Sequence, residues 1–128
     1  MTVVRKELAP DSRAPHQARE IVLGVIADLP TDVQDDAVLL VSERVSNSVI
    51  HVDAAPTDMI GLLVALEQNT LHVEVSDRSA LVAVRSPPAG AGGYGLNLVD
   101  RLSTRWGAEL RNGRNVTWFD MQVPPAPI

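Results

Sequence analysis

Glu43, Asn47 and His51 stand four residues apart in a stretch otherwise rich in valine and leucine. On a helix that spacing keeps a carboxylate, an amide and an imidazole within an arc of about 80°. Such a row suits a hydrated magnesium–phosphate. Mg2+ takes oxygen ligands and keeps several waters, so the Asn47 side-chain oxygen can supply one protein ligand. Glu43, one turn earlier, is placed to orient or deprotonate a nucleophile beside a terminal phosphate. The same three residues also read as the wet face of an amphipathic helix. Two features favour a covered cleft: Asn and His are middling helix formers, and Leu39, Leu40 and Ile50 flank the row.

Two further groups lie downstream. Asp77 follows the alternating segment Leu71–Ser76, where its carboxylate can accept a hydrogen bond from the amino group of a purine or cap a turn near Ser79. Gly92-Gly93-Tyr94-Gly95-Leu96 leads into a helical pattern. Glycines there let backbone N–H groups converge, and a helix N-terminus adds partial positive charge, which together make an anion cradle; a hinge is the other use of such a run. No Gly-Lys-Ser/Thr follows it, and the third glycine of a dinucleotide fingerprint is missing. Zinc chemistry has little to work with. Cysteine is absent, and His16, His51 and His72 do not share a ligand pattern. No Gly-x-Ser-x-Gly elbow occurs either.

The elements that must carry these groups follow from periodicity. Thr2–Leu8 reads as a strand closed by Pro10. A first helix is capped by Asp11 or Ser12, has Pro15 in its first turn, and carries Ala18, Ile21, Val22, Val25 and Ile26 at helical spacing. Pro30 ends it. Thr31 or Asp32 opens a second helix, with Asp35 and Asp36 expected in its first turn, running to about His51. Val38, Val41, Val45, Val49 and Val52 form its expected core stripe, with the centre of the Glu43 row nearly opposite. Met59–Glu67 and Leu71–Ser76 read as a hairpin, and Arg105–Arg111 and Asn115–Val123 as a second one around Asn112-Gly113. Between them residues 79–93, rich in Pro and Gly, form a long loop of the kind that serves as a lid, followed by a helix at Leu96–Leu102. Residues 124–128 read as a frayed tail. The predicted fold is α+β, a two-layer sandwich whose mixed but mostly antiparallel sheet carries about three helices on one face.

Composition bounds the function. With 128 residues, 45% of them apolar, the chain reads as a single domain spanning residues 1–128 with a core of its own. Residues 1–76 carry a net charge of −7 and residues 77–128 a net charge of +2, with no dense basic cluster and only four aromatic side chains. No nucleic-acid footprint is expected from that pattern. No apolar run approaches a membrane span and no leader is recognisable, so a cytoplasmic location is expected.

The order of the three groups resembles the nucleotide boxes of the GHKL ATPase superfamily, and within it the small stand-alone serine-kinase anti-sigma factors. Leu39–Val52 (LLVSERVSNSVIHV) is similar to the first box, Val75–Ser79 (VSDRS) to the second, and Gly93–Gly107 (GYGLNLVDRLSTRWG) to the third; Gly113–Met121 (GRNVTWFDM) resembles the last strand. The resemblance implies a Bergerat-type histidine-kinase-like ATPase domain holding ATP and Mg2+ between the second helix and the glycine loop. It casts Glu43 as catalytic base, Asn47 as magnesium ligand, His51 as a pocket residue and Asp77 as the adenine contact. Ser79, Gly93, Tyr94, Gly95 and Leu96 would line the nucleotide, with residues 79–93 as the ATP lid. The implied action is to sequester a sigma factor and to phosphorylate serine or threonine on an anti-anti-sigma (STAS-type) partner, with a homodimer as the family's usual assembly. One alternative stays open. Tyr94 stands where a basic residue is common, and Arg85 is the lone cation of residues 79–93, which suits a nucleotide-binding module that regulates through protein contacts alone.

Overall fold

The structure, a computed structural model, describes residues 1–51, 58–78 and 101–125. Its elements are β1 (Thr2–Leu8), α1 (Ala14–Val25), α2 (Thr31–His51), β2 (Ile60–Glu67), β3 (Thr70–Asp77), β4 (Arg105–Arg111) and β5 (Arg114–Gln122). They form a five-stranded sheet of order β1-β2-β3-β5-β4 with α1 and α2 packed together on one face, the expected α+β sandwich. The expectation of a mixed sheet is corrected, because every strand pair described is antiparallel. Tight turns impose this on β2–β3 and β4–β5. The β2–β3 turn passes through Gln68 at φ 50°. The β4–β5 turn passes through Asn112 at φ 55° and Gly113 at φ 76°. Those two are the left-handed pair that a type I′ hairpin requires. Of the third expected helix, Arg101 and Leu102 are described and helical, and Leu102 packs against the core; the remainder lies outside the described residues, as does the tail beyond Pro125.

Alternation along the strands separates two faces. On β3, Leu71, Val73 and Val75 point to the helices; on β5, Phe119 and Met121 join them in register, Phe119 opposite Val73 and Met121 opposite Leu71. Ile60, Leu62 and Val64 extend this layer on β2, and Ala18, Val22, Ile26, Leu40, Val41 and Val45 cover it from the helices. The α1–α2 corner is held by Gln34, whose side-chain amide donates to the carbonyls of Ala27 at 3.2 Å and Leu29 at 2.9 Å. Carbonyls just past a helix end lack intrahelical partners, so the amide satisfies groups the backbone leaves open. Two local expectations are corrected. The α1 N-cap is Arg13, which makes no side-chain cap bond; Asp11 instead accepts the Arg13 backbone N–H at 2.9 Å. The acid in the first turn of α2 is Asp32, because the helix starts at Thr31 and Asp35 and Asp36 fall beyond that turn.

The open face of the sheet is a charged network. His72 Nδ1 lies 2.5 Å from Asp120 and its Nε2 2.8 Å from Glu74. Only the imidazolium can donate from both nitrogens, so the site favours the charged ring. Arg111 bonds Glu74 at 2.9 Å, Arg105 bonds Asp120 at 3.2 Å, and Arg105 also lies 5.8 Å from the Trp118 ring centroid. Trp118 in turn covers Gly107: a Cβ there would lie 2.8 Å from the indole nitrogen, so the strand pair closes only around glycine. Partial burial opposes protonation of His72, but the hydrogen bonds and charges of Glu74 and Asp120 outweigh it and raise the pKa from the ordinary 6.5. A raised folded value means the stabilisation is complete below pH 6.5 and fades as pH climbs through the folded pKa. His72→Gln should therefore cost the protein about 1 kcal/mol in acid, given the partial exposure, and progressively less toward alkaline pH. Urea unfolding of both proteins across that range measures it; a deficit that is flat or grows with pH would contradict the assignment.

Candidate functional site

The helix-facing side of the central strands changes character at one end. In register along β3 and β5, Leu71 faces Met121 and Val73 faces Phe119, then Val75 faces Thr117 and Asp77 faces Asn115. Asp77 and Thr117 are both 8% exposed. Asp77 is the last residue of β3 and belongs to the face of Leu71, Val73 and Val75, because its position is even-spaced with theirs. The expectation that it follows the strand is thereby corrected, and its carboxylate points into the layer beneath α2 rather than out toward a surface turn.

α2 supplies the opposite wall. Its buried residues are Ala37, Leu40, Val41, Val45 and Ser48, while Val38 and Val49 are only half-buried and Leu39 is 41% exposed. The expected valine stripe is therefore rotated, and Val52 lies outside the described residues. At about 100° per residue the centre of the buried face falls between Leu40 and Val41, with Arg44 and Ser48 within it. Asn47 lies not opposite that face but along its flank, about 90° from its centre, and Glu43 lies farther round, at about 130°; both are half-buried. The rotation follows from bulk: Leu40 and small Ala37 and Ser48 let the helix seat closely on the sheet, and this carries Asn47 to the rim of the layer. His51 is the last residue of α2, and its side chain lies outside the described residues. So do Ser79, Gly93, Tyr94, Gly95 and Leu96, together with the whole expected lid.

Sequence reasoning missed Arg44. Its guanidinium runs under α2 to β5, where Nη2 donates to the Thr117 hydroxyl at 3.2 Å. Nε is buried with no hydrogen-bond partner among the described residues. Burial pushes the Arg44 pKa below its ordinary value, and the negative charge of Asp77 partly opposes this. The signal was present: Arg44 falls at helical spacing with Ala37, Leu40, Val41 and Ser48, a cation on the apolar stripe. Thr117 was equally legible, two residues from Phe119 on the inward alternation.

The layer thus has a polar end. A buried acceptor, a hydroxyl and a cation stand against the sheet, with a carboxylate and an amide on the helix flank. That set fits a purine nucleotide: Asp77 offers an acceptor to the base, and Asn47 offers one oxygen to a hydrated divalent ion. No group of three His, Cys, Asp or Glu suited to a metal occurs among the described residues, so most ligands of such an ion would be phosphate and water. A depression lined by Arg5, Glu7, Gly61, Glu74 and Ser76 lies on the open face, on the other side of the sheet from Asp77. No described helix is long and apolar enough to cross a membrane.

Residues 8–121 match the family model of the histidine kinase-like ATPase domain. The chain belongs to that family. Its match begins at the end of β1 and closes in β5, so the polar end of the layer, from Glu43 to Thr117, falls inside this ATPase domain. No curated protein matches the chain. Among solved structures, it is similar to the RsbU and RsbW domains of Rv1364c from Mycobacterium tuberculosis, with TM-score 0.74 and 19% identity over all of this chain and 34% of that one. It therefore spans about a third of that protein. It is also similar to the catalytic domain of the histidine kinase ThkA, in a nucleotide-free form, with TM-score 0.55 and 12% identity over 98% of this chain and 99% of that one. At these identities the likeness establishes the fold.

Arg44 and Thr117 should behave as a coupled pair. Thr117→Val removes the acceptor of a buried guanidinium and should cost about 1–3 kcal/mol. In an Arg44→Leu background the same Thr117→Val change should cost clearly less, because no buried donor is then stranded. Urea unfolding of the two single variants and the double variant closes the cycle; strict additivity would break the pairing.

Proposed function

We propose that the protein binds magnesium ATP at the polar end of the helix–sheet layer and is a cytoplasmic regulatory kinase of the anti-sigma type. The observation that carries the reading is the burial of Asp77 on the helix-facing side of the central strand, the side on which α2, the helix of Glu43 and Asn47, packs. A buried carboxylate on the inward face, near the Arg44 cation and the Thr117 hydroxyl, makes a polar cluster in an otherwise apolar layer, the kind of place where a ligand's polar groups are received.

In this reading Asp77 accepts from the adenine amino group, and Asn47 contributes one oxygen to the hydrated magnesium. Bound Mg–ATP supplies the transferable phosphoryl group and a metal that neutralises its charge. Glu43 takes the proton from a serine or threonine hydroxyl as its oxygen bonds the γ-phosphorus and the bridge to the β-phosphate breaks. His51, Ser79, Gly93, Tyr94, Gly95 and Leu96 complete the pocket, with residues 79–93 as its lid. The partner would be an anti-anti-sigma protein of the STAS type, competing with a sigma factor for one surface, and the kinase would work as a homodimer. The RsbW domain of the Mycobacterium tuberculosis neighbour supports the regulatory class. A second reading, nucleotide binding without transfer, is favoured by Tyr94 and by Arg85 as the lone cation of residues 79–93.

Two variants separate these. By calorimetry with magnesium ATP, Asp77→Asn should weaken binding at least about tenfold, since an amide matches the amino edge poorly. Glu43→Ala should still bind but lose phosphoryl transfer to an anti-anti-sigma partner. Transfer that survives Glu43→Ala unchanged would retire the kinase reading, and undiminished affinity in Asp77→Asn would retire the base contact.

A further inference from the structure

The charged network of the open face runs over β3, β5 and β4 and stops short of β1. Beyond it lies the depression that Arg5, Glu7, Gly61, Leu63, Glu74 and Ser76 line, with a volume of about 280 Å³. Register sets Gly61 between Glu7 on β1 and Ser76 on β3, with Arg5 beside Leu63 two residues along. The floor is bare at Gly61, and a Cβ there would collide with the Ser76 hydroxyl oxygen. Arg5 and Glu7 stand on the same side of β1, their backbone positions roughly 7 Å apart. Among the described residues neither enters an ion pair, with the other or with any third group. Glu74 is already engaged by His72 and Arg111. One cation and one anion are thus left over, facing a concavity whose floor includes the half-buried Leu63.

We propose that this depression is a second binding site, for a free zwitterionic α-amino acid with an aliphatic side chain. It stands independently of the nucleotide site, which lies on the other side of the sheet. The α-carboxylate meets the Arg5 guanidinium, whose planar fork matches two carboxylate oxygens. The α-ammonium group turns to Glu7, an acceptor when ionised. The aliphatic side chain lies over Gly61 and against Leu63, in the space the missing Cβ leaves. Size agrees with that class. About 280 Å³ falls just below the ~300 Å³ at which pockets for drug-sized ligands begin, so a small molecule fits where a nucleotide does not. A bare carboxylate or a bare amine would leave one of the two charges unmet, and the site therefore selects molecules that carry both.

The test is an NMR titration of the full chain, read at the backbone amides of Arg5, Glu7, Gly61 and Ser76. The probes are L-leucine, 4-methylpentanoate, which lacks the ammonium group, and isoamylamine, which lacks the carboxylate. L-leucine should shift these amides saturably, with a Kd on the order of 1 mM or tighter. Each truncated probe should bind at least about tenfold more weakly, because one charge-assisted pair is lost. The same loss is expected for L-leucine with Arg5→Gln and with Glu7→Gln, while both variants bind magnesium ATP as the wild type does. No saturable shift by about 20 mM L-leucine overturns the proposal. So do equal affinities for the three probes, which would mean general ion association, and binding that survives both substitutions unchanged. Should magnesium ATP shift these amides in place of those around Asp77, the depression belongs to the nucleotide and both sites as described fall. L-leucine binding in a protein that takes up no ATP removes the nucleotide site alone.

Discussion

Charge inside an apolar layer must be matched, and the rest of this molecule is arranged around that requirement at one place. Between α2 and the sheet the packing is apolar apart from Ser48 and the end that holds Asp77, Thr117 and Arg44. An isolated charge there would be heavily penalised, whereas opposite charges near one another offset much of the penalty. Asp77 acts on Arg44 in that way, and Thr117 gives the guanidinium one acceptor. The arrangement favours a ligand with both donors and acceptors over an entirely apolar one.

Sheet geometry makes the position possible. Because strand side chains alternate, the carboxylate of Asp77 shares a face with Val75 and Val73, and register with β5 places Thr117 and Asn115 beside it. β3 is central in the sheet, so the polar end lies in the body of the fold. The open face handles its charges differently. His72, Glu74, Asp120, Arg105 and Arg111 pair with one another in contact with solvent, where each pair adds little and the network mainly orders the strands. The two faces divide the labour: one holds the candidate nucleotide site, and on the other the charges of β3, β5 and β4 satisfy one another.

Much of this was legible in the sequence for local reasons. Alternation marked β3, Asn112-Gly113 marked the β4–β5 turn, and Pro30 separated the helices, each a short-range rule. The candidate residues on α2 and β3 were found by type and spacing. Misplaced was the rotation of α2, since a valine count ignores how closely Ala37 and Ser48 let the helix approach, and bulk at the contact sets the rotation. Arg44 escaped because an arginine in a helix is ordinarily read as solvated, and only its tertiary contact with Thr117 on β5 shows otherwise. The all-antiparallel pairing was likewise a matter of long-range topology, because the sequence leaves open which strand lies beside β1.

The central claim is positional: a purine lies on the helix side of the sheet, at the Asp77 end. A crystal structure of the protein with a non-hydrolysable ATP analogue and magnesium tests it most directly. The account predicts the base beside Asp77, Thr117 and Arg44, with the phosphates toward Glu43 and Asn47. A base seated instead on the open face, among Arg5, Gly61 and Glu74, would contradict it.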